Sequence, residues 1–92
     1  MSEIAVPPSE IIRETFAEQG LTQTAAARRL GVSTPRVCRI VSGSTGIGPR
    51  TALQLEFVTN VSASFWMALQ ANYELAQERP LFESELRARA TS

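Results

Sequence analysis

Apolar side chains recur every three or four residues along most of the chain, and glycine, proline and hydroxyl residues divide this pattern into short segments. Ile11, Ile12 and Phe16 mark the first segment, which Ser9 can cap and Gly20 can end. No stretch alternates apolar and polar residues as a half-buried strand does. The pattern therefore predicts a helical protein that contains no sheet.

Two short helices separated by a very tight turn are predicted next. Thr22 can cap residues 23–30, whose three consecutive alanines favour a helix and allow a neighbouring helix to approach closely. Gly31 suits the left-handed position after a helix, and Ser33 is the next capping candidate. These signals predict a helix-turn-helix over about residues 23–42.

Two more helices complete the predicted set. Pro49 suits the first turn of a fourth helix, and Ser62 can cap a fifth helix that Pro80 is expected to end. The fifth helix carries an apolar stripe at helical spacing, which we assign to the core or to a dimer contact: Phe65, Trp66, Leu69 and Tyr73.

The predicted fold class is an all-α, five-helix DNA-binding domain with a short C-terminal extension. We expect an N-terminal arm at residues 1–7, the helix-turn-helix domain at residues 8–78, and the extension at residues 79–92. Residues 81–90 fit one or two further helical turns as well as they fit a frayed tail. A chain of 92 residues buries a modest core, so dimerisation would add stability.

Composition narrows the classes of function. The chain has no histidine, aspartate or lysine, and it has one cysteine, Cys38, which is expected to be a small residue at the edge of the core. The usual metal ligands and general bases are therefore missing, so we expect neither an enzyme nor a metal site nor a cofactor. The N-terminus lacks the features of a signal peptide, and no apolar run is long enough to span a membrane; a cytoplasmic protein is expected.

A formal net charge of zero conceals a separation of charge along the sequence. Between Gln19 and Leu55 there are five arginines and no acidic residue, which gives this segment a formal charge of +5. The flanks hold four arginines and all nine glutamates, so together they carry −5. Such segregation can create one positive surface on a neutral protein, and this surface would include the helix-turn-helix.

The second helix of a helix-turn-helix presents its N-terminal part to base edges in the major groove. Arg36 and Arg39 are three residues apart on this helix, and each guanidinium matches the paired acceptors of guanine. Gln23 begins the preceding helix, where backbone N–H groups also favour phosphate. The predicted DNA-binding residues are Gln23, Thr34, Pro35, Arg36, Arg39, Ser42, Ser44 and Thr45.

Residues 22–27, 31–33 and 37–40 resemble the XRE, or Cro/lambda-repressor-like, helix-turn-helix class. Residues 43–48, 52–55 and 62–75, above all the run Phe-Trp-x-x-Leu-Gln-x-x-Tyr at 65–73, resemble HigA-type antitoxins, also called VapI-like regulators. The resemblance implies a homodimer that represses its own promoter through a palindromic double-stranded operator and pairs with a small mRNA-cleaving toxin. It assigns Gln23 to phosphate, and Thr34, Arg36 and Arg39 to bases. The acidic flanks would suit a basic toxin.

The chain departs from the family in its loop, where Ser44 and Thr45 replace the usual basic residues. Two alternatives therefore stay open at this point. One is a stand-alone XRE-type regulator without a toxin. The other is a protein-interaction module that has kept the fold and lost affinity for DNA, which zero net charge and the uncharged loop both favour.

Overall fold

Five α-helices follow one another in the computed structural model, which describes residues 6–91. They are α1 at Pro8–Gln19, α2 at Gln23–Leu30, α3 at Thr34–Ser42, α4 at Pro49–Thr59 and α5 at Ala63–Thr91. These described residues contain no strand, and the predicted all-α, five-helix fold is confirmed. Most of the predicted N-terminal arm, residues 1–5, lies outside the described residues. None of the helices seen here combines the length and apolar character needed to cross a membrane.

Three hydroxyl side chains cap helices at the positions that the sequence predicts. Thr22 Oγ1 accepts the N–H of Ala25 at 3.0 Å at the start of α2. Ser33 Oγ accepts the N–H of residue 36 at 3.3 Å at the start of α3, and Ser62 Oγ accepts that of residue 65 at 3.2 Å before α5. Each bond satisfies one N–H that the first helical turn would otherwise leave without an acceptor. Short-range sequence signals therefore determine where these three helices begin.

The prediction that Ser9 caps α1 is wrong. The helix begins at Pro8, Pro7 occupies the capping position, and no side chain accepts a hydrogen bond there. Proline has its φ already fixed near the helical value and has no N–H to satisfy, so it starts the helix one residue before the hydroxyl residue.

The core lies where α1 and α4 pack against the α2–α3 pair and α5 packs against α1 and α4. Trp66 is completely buried, and Ile12 and Val37 are 1% and 2% exposed. Ala26 and Ala27 are also buried, and their small side chains allow α2 and α3 to pack closely. The helix-turn-helix is therefore a tightly supported unit that has its apolar face inside the domain.

The prediction that Pro80 ends the fifth helix is wrong, because α5 continues through it to Thr91. Proline removes the hydrogen bond to the carbonyl four residues earlier, at Ala76. Residues 77–90, Pro80 among them, are all exposed and Ala76 is half-buried, so water can reach the carbonyl left without its donor. Residues with good helix propensity lie on both sides of the proline. The predicted extension at residues 79–92 is thus continuous with α5 as far as the structure describes it.

Candidate nucleic-acid interface

Helix α3 is amphipathic, and its two sides are clearly different. Val37, Ile40 and Val41 are buried against the rest of the domain. The opposite side is exposed over its whole length and consists of Thr34, Pro35, Cys38, Arg39 and Ser42. This exposed side, which we call the outward face of α3, is the surface that a helix-turn-helix presents to the major groove.

The two arginines of α3 occupy different positions on it. Arg39 is exposed and lies on the outward face, as predicted. Arg36 is half-buried, because three residues on a helix correspond to a rotation of about 60° between the two side chains, which places Arg36 next to the buried side at Ile40. Arg39 is therefore the guanidinium that projects most freely, and Arg36 lies at the edge of the same surface.

Cys38 also lies on the outward face and not at the edge of the core, which corrects the sequence-based prediction. It follows Pro35 by three residues and precedes Ser42 by four, so the three side chains share one side of the helix. The position of Cys38 on a helical projection of residues 34–42 already places it on this side. The prediction was wrong because it relied on the apolar character of cysteine, which is typical of core residues. Cys38 is an exposed residue of the outward face that the sequence-based prediction missed.

Gln23 is the first residue of α2 and is half-buried. Thr22 accepts only the Ala25 N–H, so the earlier N–H groups of α2 have no acceptor within their own helix. This arrangement suits a phosphate oxygen, and the role assigned to Gln23 stays a prediction.

Three of the predicted DNA-binding residues, the hydroxyl residues at the end of α3 and in the loop after it, donate hydrogen bonds within the protein. Ser42 Oγ and Ser44 Oγ both donate to the carbonyl oxygen of Arg39, at 3.1 and 3.2 Å, and Thr45 Oγ1 donates to the carbonyl of Gly46 at 3.0 Å. The two serines thereby stabilise the C-terminal end of α3. A phosphate would have to replace these acceptors, so the role of the three hydroxyls in DNA binding stays a prediction.

The end of α3 and the following loop are fixed against two other helices. Gly43 adopts a φ of +83°, and a Cβ atom there would approach the Cβ of Ser9 on α1 to 3.0 Å. On the other side, the N–H of Ile47 donates to Oε1 of Gln70 on α5 at 3.0 Å. These contacts hold the loop, and with it α3, in one orientation relative to the domain.

A further cation lies beyond the loop. Arg50 is exposed in the first turn of α4, and Gly48 in the capping position offers no side chain to the N–H groups of that turn. Arg50 belongs to the basic segment of the sequence, but the predicted site does not include it. The sequence signal that could have placed Arg50 in the site is its position directly after Pro49, in the first turn of a predicted helix, where the helix favours an anion.

The predicted stripe of the fifth helix is mainly a core feature. Trp66 is fully buried, and Leu69 and Tyr73 are half-buried beside it. Phe65 is 44% exposed and contacts Trp66 edge-on, with ring centroids 5.3 Å apart.

In the described part of the chain, no three cysteine or glutamate side chains are grouped so as to hold a metal ion.

Residues 12–66 match a protein-family model described as helix-turn-helix, which spans more than half of the chain. The chain belongs to this helix-turn-helix family.

Within the family, the chain is similar to antitoxins and operator-binding proteins. The antitoxin HigA of Pseudomonas aeruginosa, solved with the higBA promoter, has 36% sequence identity and a TM-score of 0.76 over 90% of this chain and 91% of that one. Another Pseudomonas aeruginosa protein, solved with its 18-bp operator DNA, has 34% identity and a TM-score of 0.79 over 94% and 92% of the two chains. The predicted resemblance to HigA-type antitoxins is confirmed.

A curated relative, virulence-associated protein A′ of Dichelobacter nodosus, is 35% identical over 71 residues, which are 76% of this chain. The matched segment spans 62% of the length of that relative. The similarity therefore leaves more than a third of that relative without a counterpart here.

Proposed function

We propose that this protein is a transcriptional repressor that binds a palindromic operator in its own promoter as a homodimer and also serves as the antitoxin of a small basic toxin. The observation that carries the proposal is the outward face of α3, where Arg39 is exposed on a helix that packs rigidly against the core. Two relatives that share the fold, solved with promoter and operator DNA, support it.

The residues around this face are proposed to make different contacts with DNA. Arg39 is proposed to bind guanine bidentately, and Thr34 and Pro35 to contact bases beside it, including the methyl group of thymine. Arg36, at the edge, serves a flanking base or a phosphate. Gln23, with the first N–H groups of α2, is proposed to bind phosphate and set the docking angle.

Arg50 is proposed to supply the charge that the loop lacks. It lies in the first turn of α4, immediately after the loop that carries Ser44 and Thr45, and N–H groups of that turn are free of a capping side chain. A phosphate placed there would meet both a guanidinium and the positive end of the helix. This contact makes the uncharged loop compatible with DNA binding, so the loop does not by itself favour an interaction module.

The toxin is proposed to bind a surface away from α3. Glu10, Glu14 and Glu18 are all exposed at intervals of four residues, so they lie on one side of α1. This side is negative, whereas the helix-turn-helix carries only arginines among its charged residues. A basic partner would be attracted to the acidic side without competing for the DNA-binding surface.

The proposed repressor acts on a promoter, so its proposed location is the cytoplasm. The proposed function requires neither catalysis nor a cofactor.

Binding to the chain's own promoter tests the repressor function. Fluorescence anisotropy would compare a promoter duplex with a scrambled duplex of equal composition at fixed salt, since affinity for DNA depends strongly on salt. Arg39→Ala is expected to weaken promoter binding by about 1–3 kcal/mol, roughly fivefold to 150-fold. Arg87→Ala, which removes an equal charge at the far end of α5, is the matched control and should bind like wild type. Equal affinity of the wild type for both duplexes would instead favour the interaction module.

Co-expression tests the antitoxin function separately. The product of a short adjoining gene that encodes a basic protein should co-purify with this chain and should lose affinity as salt rises. Charge reversal of the acidic side, with Glu14→Arg and Glu18→Arg combined, is expected to weaken that complex and leave promoter binding intact. Promoter binding without any such partner would identify a stand-alone regulator.

A further inference from the structure

A cavity of about 190 Å³ lies where the start of α1, the end of α3 and the N-terminal part of α5 meet, and we call it the α1–α5 cavity. Pro8 and Ser9 of α1 line it, as do Gln70 and Tyr73 of α5. The end of α3 and the loop after it supply a third part of the wall: Ser42, Gly43, Gly46 and Ile47. The contacts proposed above for DNA leave this space unused.

The α1–α5 cavity combines an apolar surface with two free hydroxyl groups. Ile12, Ile40 and Ile47 line it, and all three are buried residues of the core. Ser9 and Tyr73 are half-buried, and neither hydroxyl makes a hydrogen bond to another of the described residues. Water beside buried isoleucines makes few hydrogen bonds, so an apolar group that displaces it gains free energy.

The size of the cavity fits one aromatic ring with a short substituent. An engineered apolar cavity of about 150 Å³ binds benzene, and the α1–α5 cavity is somewhat larger, at about 190 Å³. Tyr73 contributes an aromatic side chain to the wall, and aromatic pairs gain free energy beyond that of the area they bury. A molecule with one ring and one hydroxyl therefore matches both the volume and the polar groups.

We propose that the α1–α5 cavity is an effector site for a small phenol-type molecule, whose ring packs on the isoleucines and whose hydroxyl uses the free hydroxyls of Ser9 and Tyr73. We propose further that this ligand strengthens binding to promoter DNA. The effect on DNA rests on the proposed repressor function, whereas binding in the cavity is independent of it.

The cavity exists only while its three walls keep their relative positions. Gly43 lies close to Ser9, since a Cβ atom on the glycine would come within 3.0 Å of the serine Cβ. The N–H of Ile47 donates to Oε1 of Gln70 at 3.0 Å. A ligand that fills the cavity contacts all three walls, so it stabilises the loop and the end of α3 in this arrangement.

Positive coupling between the ligand and DNA follows from this shared arrangement. Gly43 and Gly46 adopt φ values of +83° and +67°, and glycine there gives the loop conformational freedom that a bound ligand reduces. The same position of the loop fixes α3, whose outward face is proposed to enter the major groove. Because both ligands favour one arrangement, each raises the affinity for the other by the same factor.

The first test titrates the full chain with p-cresol, which has one ring, one hydroxyl and one methyl group, and follows the backbone amide signals by NMR. Saturable shifts are expected at Ile12, Gly46 and Ile47. Ser9→Leu places a larger apolar side chain in the cavity wall and should weaken binding at least tenfold. Ser64→Leu is the matched control, because Ser64 is exposed and is also the second residue of its helix; this variant should bind like wild type.

The polar part of the proposal is tested with toluene, which lacks the hydroxyl of p-cresol. The double variant Ser9→Ala, Tyr73→Phe should bind p-cresol at least fivefold more weakly than wild type and bind toluene equally well. A purely structural effect of the double variant would weaken both ligands alike. Shifts that do not saturate, or that are as large in Ser9→Leu as in wild type, would overturn the site.

The closing experiment measures promoter affinity by fluorescence anisotropy at fixed salt, with and without saturating p-cresol. The dissociation constant of the wild type is expected to fall by about fivefold or more, and that of Ser9→Leu should not change. Saturable p-cresol binding with unchanged or weaker promoter affinity would overturn the effector role. Promoter binding without any p-cresol binding would remove the site and leave the repressor function intact, whereas p-cresol binding without promoter binding would remove the repressor function, and with it the effector role, and leave the site.

Discussion

Oε1 of Gln70 on α5 accepts the backbone N–H of Ile47, in the loop after α3, at 3.0 Å. The amide nitrogen of the same side chain donates to Oε1 of Glu74 at 2.8 Å, which fixes the orientation of the amide. Helix α5 is thereby joined directly to the loop that follows the proposed DNA-reading helix. Loop position and α5 position are consequently coupled through one side chain.

Gln70→Leu removes this acceptor with little change in size. The Ile47 N–H, which is partly buried, would be left without a partner, and we expect the free energy of unfolding to fall by about 1–3 kcal/mol in urea denaturation. Gln77→Leu, at an exposed position of the same helix, is the control and should change stability by less than about 0.5 kcal/mol. Equal effects of the two substitutions would show that the Gln70 contact contributes nothing specific.

Two glycines with similar backbone angles are expected to differ in their tolerance of alanine. Gly31 and Gly43 both have positive φ, +69° and +83°, so alanine at either costs about 1–2 kcal/mol of backbone strain. Only at Gly43 would the new Cβ approach another atom closely, at 3.0 Å from the Cβ of Ser9. Thermal or urea unfolding should therefore show a larger loss for Gly43→Ala than for Gly31→Ala. If Gly31→Ala proves the more damaging change, the close packing of the loop on α1 is not the reason for glycine there.

Arg29 is expected to contribute to stability, although its sequence context is that of a DNA-binding arginine. Its guanidinium donates to the carbonyl oxygens of Val58 and Phe57 at 3.3 and 3.4 Å, at the C-terminal end of α4. Arg29→Met should lower the free energy of unfolding by about 1 kcal/mol, because it removes both bonds and the charge near the negative end of the helix. Arg28→Met, the exposed neighbour, serves as the control, and a loss as large as that of Arg29→Met would refute this role.

Arg50→Ala tests whether α4 supplies the missing phosphate contact. The variant is expected to bind all duplexes more weakly, to keep its preference for the promoter, and to lower the slope of log affinity against log salt by about 1. Anisotropy titrations at four or five salt concentrations measure the slope. An unchanged slope would show that Arg50 does not contact a phosphate group.

The sequence predicted the parts of the fold that local chemistry determines. Thr22, Ser33 and Ser62 cap their helices through bonds to residues three positions later, and such short-range contacts are visible in a linear pattern. The end of α5 was predicted wrongly because proline usually breaks the interior of a helix, whereas here the helix continues through Pro80 in a segment that is exposed to water.

The site was predictable only in outline. Arg39 and Pro35 follow from the position of the helix-turn-helix, but the half-burial of Arg36 depends on how α3 packs against the rest of the domain. Arg29 and Arg28 are adjacent and look equivalent in sequence, yet Arg29 binds α4 across 29 residues of chain. Contacts of this kind arise from the tertiary fold, so no local pattern distinguishes a structural arginine from a DNA-binding one.

The most direct test of the central claim, that Arg39 reads bases from the outward face of α3, is a base-by-base substitution scan of the promoter site with wild type and Arg39→Ala. Wild type should lose about 1–3 kcal/mol at one symmetric base pair in each half-site, and Arg39→Ala should lose discrimination at that pair while keeping it elsewhere. An identical discrimination profile for the two proteins would contradict the claim.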